Sequence, residues 1–432
     1  MITSLYTAIS GLSANGTSLS VIGDNIANMN TVGFKASRVA FGDVLSQTLI
    51  GVAGSSQVGR GVQISGVNPL FTQGSFETTE SVLDMAIDGD GLFIVSDGDA
   101  NYFTRAGQFS VDKDGNIVNQ DGLILQGYIA DETGKITGTT GDLTIANAQS
   151  TAHISSTASL ALNLNATADI QTTAFTLDAN GDAANNDPAN YNFSSSITVY
   201  DSQGGSHQVT LYFEKTADNA WNVHYVHEDP ANPDLLVEAG TQALSFDVDG
   251  SLITDNSGTA INFNFGSAIT SPQSIAFDFG TGTGETPAGT GFDGTTQFAS
   301  DFAVLSLSQN GYSSGNLKNM TISADGMITG IFTNGQTRAI GQIALAKFIA
   351  PDELTKLGRN LFAESYASGQ PIVGMAATSG LGRVLSNTLE LSNVDLAAEF
   401  VKMISSQRGF QANSRIITTT DELLQEMVNL KR

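Results

Sequence analysis

Four places in the chain carry residue types whose spacing could do chemistry. Gly311-Tyr312-Ser313-Ser314-Gly315 satisfies the Gly-x-Ser-x-Gly pattern that presents a nucleophilic serine. That chemistry needs a strand, a sharp turn and a helix, whereas a second strand-like run, Met320 to Ile322, follows here and predicts a hairpin turn. Gly289-Thr290-Gly291-Phe292-Asp293-Gly294 has the glycine spacing of a dinucleotide fingerprint. It lies in a Gly/Thr-rich stretch with no helix to turn its N-terminus toward a pyrophosphate, so it predicts a loop. Asp112-Lys113-Asp114-Gly115-Asn116 starts like a calcium loop, but its glycine comes at the fourth position and Leu123 stands where the bidentate Glu belongs, which leaves a turn. His224 and His227, three apart on an expected strand, point to opposite faces and cannot chelate one ion together. With no Cys in 432 residues there is no disulfide, thiolate metal site or thiol nucleophile. The sequence therefore gives no catalytic, cofactor-binding or metal-binding residue, and no cofactor is expected.

The elements that would position such groups are mostly strands. Leu160, Leu162 and Leu164 alternate with small or polar residues, as do Val209, Leu211 and Phe213, and Trp221, Val223 and Tyr225. Along the body of the chain, Asp-Gly pairs begin at Asp88, Asp90, Asp97, Asp114, Asp121, Asp249, Asp293 and Asp325, and Asn-Gly pairs at Asn180, Asn310 and Asn334, all residues that tolerate positive φ in tight turns. Residues 70–371 read as antiparallel β in at least two domains. Such a length exceeds what one core usually organises.

Charge divides the chain further. The totals are 18 Lys+Arg against 43 Asp+Glu, a net charge of −25. Residues 151–300 hold 17 Asp+Glu and one basic residue, Lys215, and so carry 16 of those net negative charges. This acidic stretch is expected to be a separate, well-solvated domain. The balance repels phosphate backbones, so nucleic acid is not an expected partner. No run of about 18 apolar residues exists, so no membrane insertion is expected. The start, Met1-Ile2-Thr3-Ser4-Leu5-Tyr6, has no basic segment ahead of an apolar run and does not read as a Sec-type signal.

The ends have helical spacing. After Ser392, the expected N-cap, apolar residues recur every seven positions at Leu396, Met403, Phe410, Ile417 and Leu424. A second seam is mixed, with Phe400 and Val428 apolar but Gln407, Ser414 and Asp421 polar. At the other end Leu5, Ile9, Leu12, Leu19 and Ile26 fall at helical spacings, interrupted by Gly16 and Gly23. Each interior Gly costs a helix about 1 kcal/mol relative to Ala, so this segment needs partners to fold. Marginal amphipathic helices around a β-rich body fit equally a subunit that polymerises through its ends, with these seams as the assembly interface, and a chain whose two terminal helices pack on its own body.

Residue identities favour the first of these. The string ISGLSANGTSLSVIGDNIANMNTVGFK over residues 9–35 resembles the N-terminal signature of the bacterial flagellar rod and hook family. SNVDLAAEFVKMISSQRGFQANSR over residues 392–415 resembles its C-terminal signature. The motif positions carried over are Asn25, Asn28, Gly33, Phe34 and Lys35, then Ser392, Asn393, Val394, Gln407, Arg408, Gln411 and Asn413. Tyr102-Phe103-Thr104-Arg105-Ala106-Gly107, Phe109, Gly115, Gly122 and Gln126-Gly127-Tyr128 resemble the family's shared β domain, which resumes at Asn310-Gly311-Tyr312 and runs through Gly341-Gln342-Ile343-Ala344-Leu345.

The acidic insertion makes the chain similar to the longer, hook-type members rather than to the shorter rod proteins. The resemblance implies an N-terminal helix over 1–30, a linker or hinge over 31–70, an inner β domain of 71–150 plus 301–378, an outer β domain of 151–300, and a linker and helix over 379–432. It implies terminal helices paired in a coiled-coil-like inner core around an export channel, in a curved tube that transmits torque while it bends. It further implies type III export, an extracellular location in the flagellum, and contacts with rod proteins, the hook cap, hook–filament junction proteins and the export apparatus. The alternatives are a distal rod protein of the same family, or an exported glycan-binding or hydrolytic β-protein whose site lies in the acidic stretch.

Overall fold

The computed structural model describes residues 2–44, 47–51, 54–131, 133–145, 149–177, 190–255 and 259–429. The chain is mostly strand, with one long helix at each end, α1 (Ile2–Ala27) and α2 (Leu396–Asn429). It divides into two units, one of residues 1–148, 318–331 and 337–432, the other of 149–317 and 332–336.

In the first unit the strand Leu92–Ser96 is buried along its whole length and pairs with Asn101–Thr104, Ile124–Ala130 and Thr337–Lys347. Its Leu92 and Ile94 side chains meet Phe103, Ala344, Ala346, Phe348 and Phe362 in one core, while Phe93 packs edge-on against Phe109. A strand covered on both faces reads as a continuous apolar run, as Leu92-Phe93-Ile94-Val95 does. The stretch 31–70, expected as a linker, carries the paired strands Ser37–Asp43 and Val62–Pro69 and, beyond them, Gln47–Gly51 with Gly54–Val58. Its period-two apolar pairs, Val39 with Phe41 and Val62 with Ile64, are too short to announce strands. Likewise Arg383–Ser386 pairs with Met85–Asp88, and Thr388–Glu390 with Phe76–Thr78, within the span expected as the C-terminal linker.

The second unit is two sheets around one core. Phe193–Tyr200, Ser206–Ala217, Ala220–Asp229, Asn232–Phe246 and Leu252–Thr254 form an antiparallel meander. The other sheet centres on Thr157–Asn165. Leu160, Leu162, Leu164, Val209, Leu211, Phe213, Trp221, Val223 and Tyr225 are all buried together between the sheets, with Phe263, Phe277 and Phe279. The expectation of wholly antiparallel β needs correction here: Thr157–Asn165 runs parallel to both Gln273–Asp278 and Thr296–Phe298. Alternation of apolar residues fixes which face a strand buries but carries no information on the direction of its neighbour.

The chemistry-like motifs resolve into connections. Ser313 and Ser314 lie between Ala303–Gln309 and Gly315–Ile322, which do not form the expected hairpin, because the first of these pairs with Thr157–Asn165 instead. Asp112 holds a tight turn, its Oδ1 accepting the backbone N–H of Asp114 and Asn116. Gly289 and Gly291 sit in a loop tied by backbone bonds to Gly282, Thr281 and Leu252.

Candidate assembly surface and its ionic anchor

The two terminal helices lie against each other. Gly11 meets Asn413, Ser18 Oγ lies 3.3 Å from Ser406 Oγ, and Asn25 Nδ2 donates to Glu399 Oε2 at 3.3 Å. Steps of seven along α1 are matched by equal steps back along α2, the mark of an antiparallel pair in constant register. A Cβ on Gly11 would stand 2.7 Å from Asn413 Nδ2, so the small residue permits the close approach. The face of α1 turned inward carries Ala8, Ala14, Ile22 and Asn25, all buried.

That face lies beside the expected seam. Leu5, Leu12, Leu19 and Ile26 are half-buried, and Ile9 is exposed. On α2, Leu396, Met403, Ile417 and Leu424 are half-buried, while Phe400 and Phe410 are exposed. Sequence reasoning followed the large apolar residues, but the closest helix contact is made by small and polar ones. A further set of large side chains on the pair stays in solvent: Tyr6 on α1, and Val401, Ile404, Leu423 and Met427 on α2, with Val401 68% exposed. The start of α2 also differs from expectation. Asp395 rather than Ser392 caps it, its Oδ1 accepting the N–H of Ala397 at 2.9 Å and of Ala398 at 3.1 Å.

Most of the motif residues near the helix ends do structural work where the helices join the β body. Asn25, 1% exposed, clamps Ser37 by accepting its N–H at 2.8 Å and donating to its carbonyl at 2.9 Å. Asn393 accepts from Ala36 N–H and donates to Leu70 O and Thr72 Oγ1. Asn28 closes the end of α1 by donating to Asp24, Phe34 lies under Lys356, whose ammonium is 5.5 Å from the ring centre, and Val394 N–H donates to Ser392 Oγ. Gln407, Arg408 and Gln411 face solvent.

Lys35 is buried and donates to Glu390 Oε1 at 2.7 Å and to Thr72 O at 2.7 Å. Glu390, 0% exposed, also accepts Gly74 N–H on Oε1 and Arg105 Nε on Oε2 at 2.6 Å. Arg105 uses three of its remaining four donors on the carbonyls of Ile87, Gly89 and Gly91. Burial pushes the Glu390 carboxyl up, but the charges and hydrogen bonds of Arg105 and Lys35 outweigh it and hold the group below the ordinary carboxylate range. For Lys35, burial prevails over the attraction of Glu390 and lowers its pKa. The sequence singles out Lys35 and places Arg105 within a family-like string, but it singles out neither Glu390 nor Glu399. The only local signal for Glu390 was an acid between Leu389 and Leu391.

Gly33 enters this anchor at φ +70°, and a Cβ there would come within 2.5 Å of the Ala106 backbone nitrogen. Because backbone cannot yield as a side chain can, Gly33→Ala is expected to cost about 2 kcal/mol or more in chemical denaturation. An unchanged midpoint would contradict the geometry.

The second unit holds its own ion cluster. His224 bonds Glu214 through Nε2 at 3.0 Å and Glu238 through Nδ1 at 2.7 Å, stacked on Phe175, while His227 lies on the opposite face of the same strand against Phe263 and Phe265. Burial alone would lower the His224 pKa, but the two glutamates raise it above the ordinary 6.5. A raised folded pKa means that this stabilisation is full below about pH 6.5 and fades as pH rises through the folded value. His224→Gln is therefore expected to cost more stability at pH 6 than at pH 8, measured by urea unfolding. An equal loss at both would show that folding does not raise the imidazole's pKa.

No group of three or more His, Asp or Glu side chains is placed to hold a metal among the described residues. The arrangement provides a rigid junction and an unburied apolar helix surface, which suits assembly. Comparison with known proteins gives the family. Residues 5–35 match the family model for flagella basal body rod protein and 385–430 that for the flagellar basal body rod FlgEFG protein C-terminal region. Residues 86–182 match the flagellar hook protein FlgE/F/G D1 domain, and 163–312 the flagellar basal body protein FlaE D2 domain. The chain is 34% identical to the flagellar hook protein FlgE of Escherichia coli, over 98% of this chain and 99% of that one. It is 34% identical to the flagellar hook protein FlgE of Salmonella typhimurium at the same coverage, and 34% identical to that of Borreliella burgdorferi over the full length of both chains. The chain belongs to the flagellar hook protein family, whose members are structural subunits of the flagellum and not enzymes.

Proposed function

We propose that this chain polymerises into the tubular hook through its terminal helices, which pair in a coiled-coil-like inner layer around an export channel, with the acidic second unit outermost. The single observation that supports this reading most is the row of large apolar side chains left in solvent on α2, Val401, Ile404, Leu423 and Met427. Phe400, Phe410 and Ile416 are exposed on the same helix, so large apolar residues recur along its length, and an extended run of this kind marks an interaction surface. The half-buried seam residues and the anchor of Asn25, Lys35, Glu390 and Asn393 would then carry load between the helix layer and the β body, as a bending torque joint requires. Family resemblance adds export through the type III apparatus without a cleaved Sec signal, an extracellular location, and contacts with rod proteins, the hook cap and hook–filament junction proteins. Electron microscopy of the concentrated purified chain tests the central claim: tubes or short helical polymers are expected, and a chain that stays monomeric at all concentrations contradicts it.

The acidic unit is proposed as an independent insertion. Gln149 pairs with Asn316, so the long segment of this unit begins and ends about one strand spacing apart, roughly 5 Å, and the unit's other piece is the short stretch 332–336. Replacing residues 150–315 with a short Gly/Ser link is expected to leave a folded first unit that still polymerises. Loss of its cooperative thermal transition would refute the independence.

A further inference from the structure

We propose that His207 and His227 form a binding site for a divalent transition-metal ion of the Zn²⁺ or Ni²⁺ class, with water completing the coordination shell. The inference stands apart from the assembly reading and rests on the second unit alone. Val209 is paired with His227 across the strands Ser206–Ala217 and Ala220–Asp229, so His207, two residues before Val209, lies diagonally across from His227 on the same face. Both imidazoles pack on Phe265, His207 stacked at 4.2 Å and His227 edge-on at 5.3 Å. Both line one cleft of about 380 Å³, together with Thr198, Ser206 and Gln208.

The hydrogen bonds of the two rings are what point to a metal. A ligating histidine characteristically donates its other ring N–H to a carboxylate or a backbone carbonyl, which fixes the tautomer and aims the lone pair. His207 Nε2 bonds Asp201 Oδ2 at 2.8 Å, and Asp201 is itself held by the N–H groups of Gln203 and Gly205 on Oδ1. His227 Nδ1 bonds the Glu228 carbonyl at 2.7 Å, which must accept, so this nitrogen carries the proton and Nε2 carries the lone pair. The remaining nitrogen of each ring makes no hydrogen bond among the described residues. His224 is the contrast within the same sheet, because both its nitrogens are committed to glutamates. Two imidazole nitrogens with oriented outer partners suit Zn²⁺, Ni²⁺ or Cu²⁺ and not Mg²⁺ or Ca²⁺, which take oxygen ligands.

Calorimetric titration of the full-length monomer with Zn²⁺, and separately Ni²⁺, near neutral pH tests the site. One ion per chain is expected, with a micromolar dissociation constant. His207→Ala and His227→Gln should each remove measurable binding, Asp201→Asn should weaken it about tenfold or more by freeing the His207 ring, and His153→Gln should leave it unchanged. Should His227→Gln fail to fold, the partly exposed His207 and the outer Asp201 still decide the matter. Absence of binding up to millimolar ion, or wild-type affinity in His207→Ala, overturns the proposal.

Discussion

Glu390→Gln is expected to cost about 3–5 kcal/mol, the loss that follows when one partner is taken from a buried ion cluster and its cations stay behind. Glu390 is fully buried and takes Lys35, Arg105 and Gly74 N–H on its two oxygens. The glutamine keeps the shape and one acceptor but leaves two buried positive charges without a counter-charge. Lys35→Met should cost less, because Arg105 still neutralises the carboxylate, Glu390 Oε1 keeps Gly74 N–H, and Thr72 O keeps the Asn393 amide. Urea unfolding of both variants makes the comparison. Lys35→Met destabilising as much as Glu390→Gln would show that the cluster's value is packing rather than charge. The pH response follows in sign. Because the folded pKa of Glu390 lies below its ordinary value near 4.5, its contribution is present above that value and is lost as pH falls through the folded pKa. The wild type should therefore lose more stability than the glutamine variant when taken from neutral pH into acid.

Much of the core was legible because period-two apolarity has a single structural meaning. Leu160, Leu162 and Leu164, and the sets at 209–213 and 221–225, are buried as their alternation requires. The helices were legible from spacing and identity together, yet the face that closes them was not. Gly11, Ser18, Asn25 and Ser406 are chosen for what they let approach, and a search for large apolar residues passes over them. The anchor was illegible for a different reason. Lys35, Arg105 and Glu390 are separated by 70 and 285 residues in the chain and meet only because Thr388–Glu390 pairs beside Phe76–Thr78. No local pattern encodes such a meeting. The strand directions around Thr157–Asn165 were hidden similarly, since alternation is identical in parallel and antiparallel neighbours.

Val401→Asp is expected to abolish polymerisation while leaving the monomer's melting temperature within about 1 °C of the wild type. The side chain is 68% exposed, so the isolated chain gains little from it, and exposed substitutions of this kind usually stay within about 0.5 kcal/mol. In a polymer the same residue would be covered, gaining about 1.5–3 kcal/mol for each subunit, and a carboxylate there would add a desolvation cost. The repetition of that term along a tube makes the outcome close to all-or-none. Phe410→Asp should also block assembly, but with only 37% of Phe410 exposed its monomer should melt lower as well. Val248→Asp, at a residue 91% exposed in the acidic unit, should change neither property. Electron microscopy and thermal unfolding separate the readings. If Val401→Asp chains assemble, the apolar row on α2 is not the assembly surface. If instead the monomer melts many degrees lower, that face packs on its own chain in solution and the exposed row is a feature of neither the interface nor the joint.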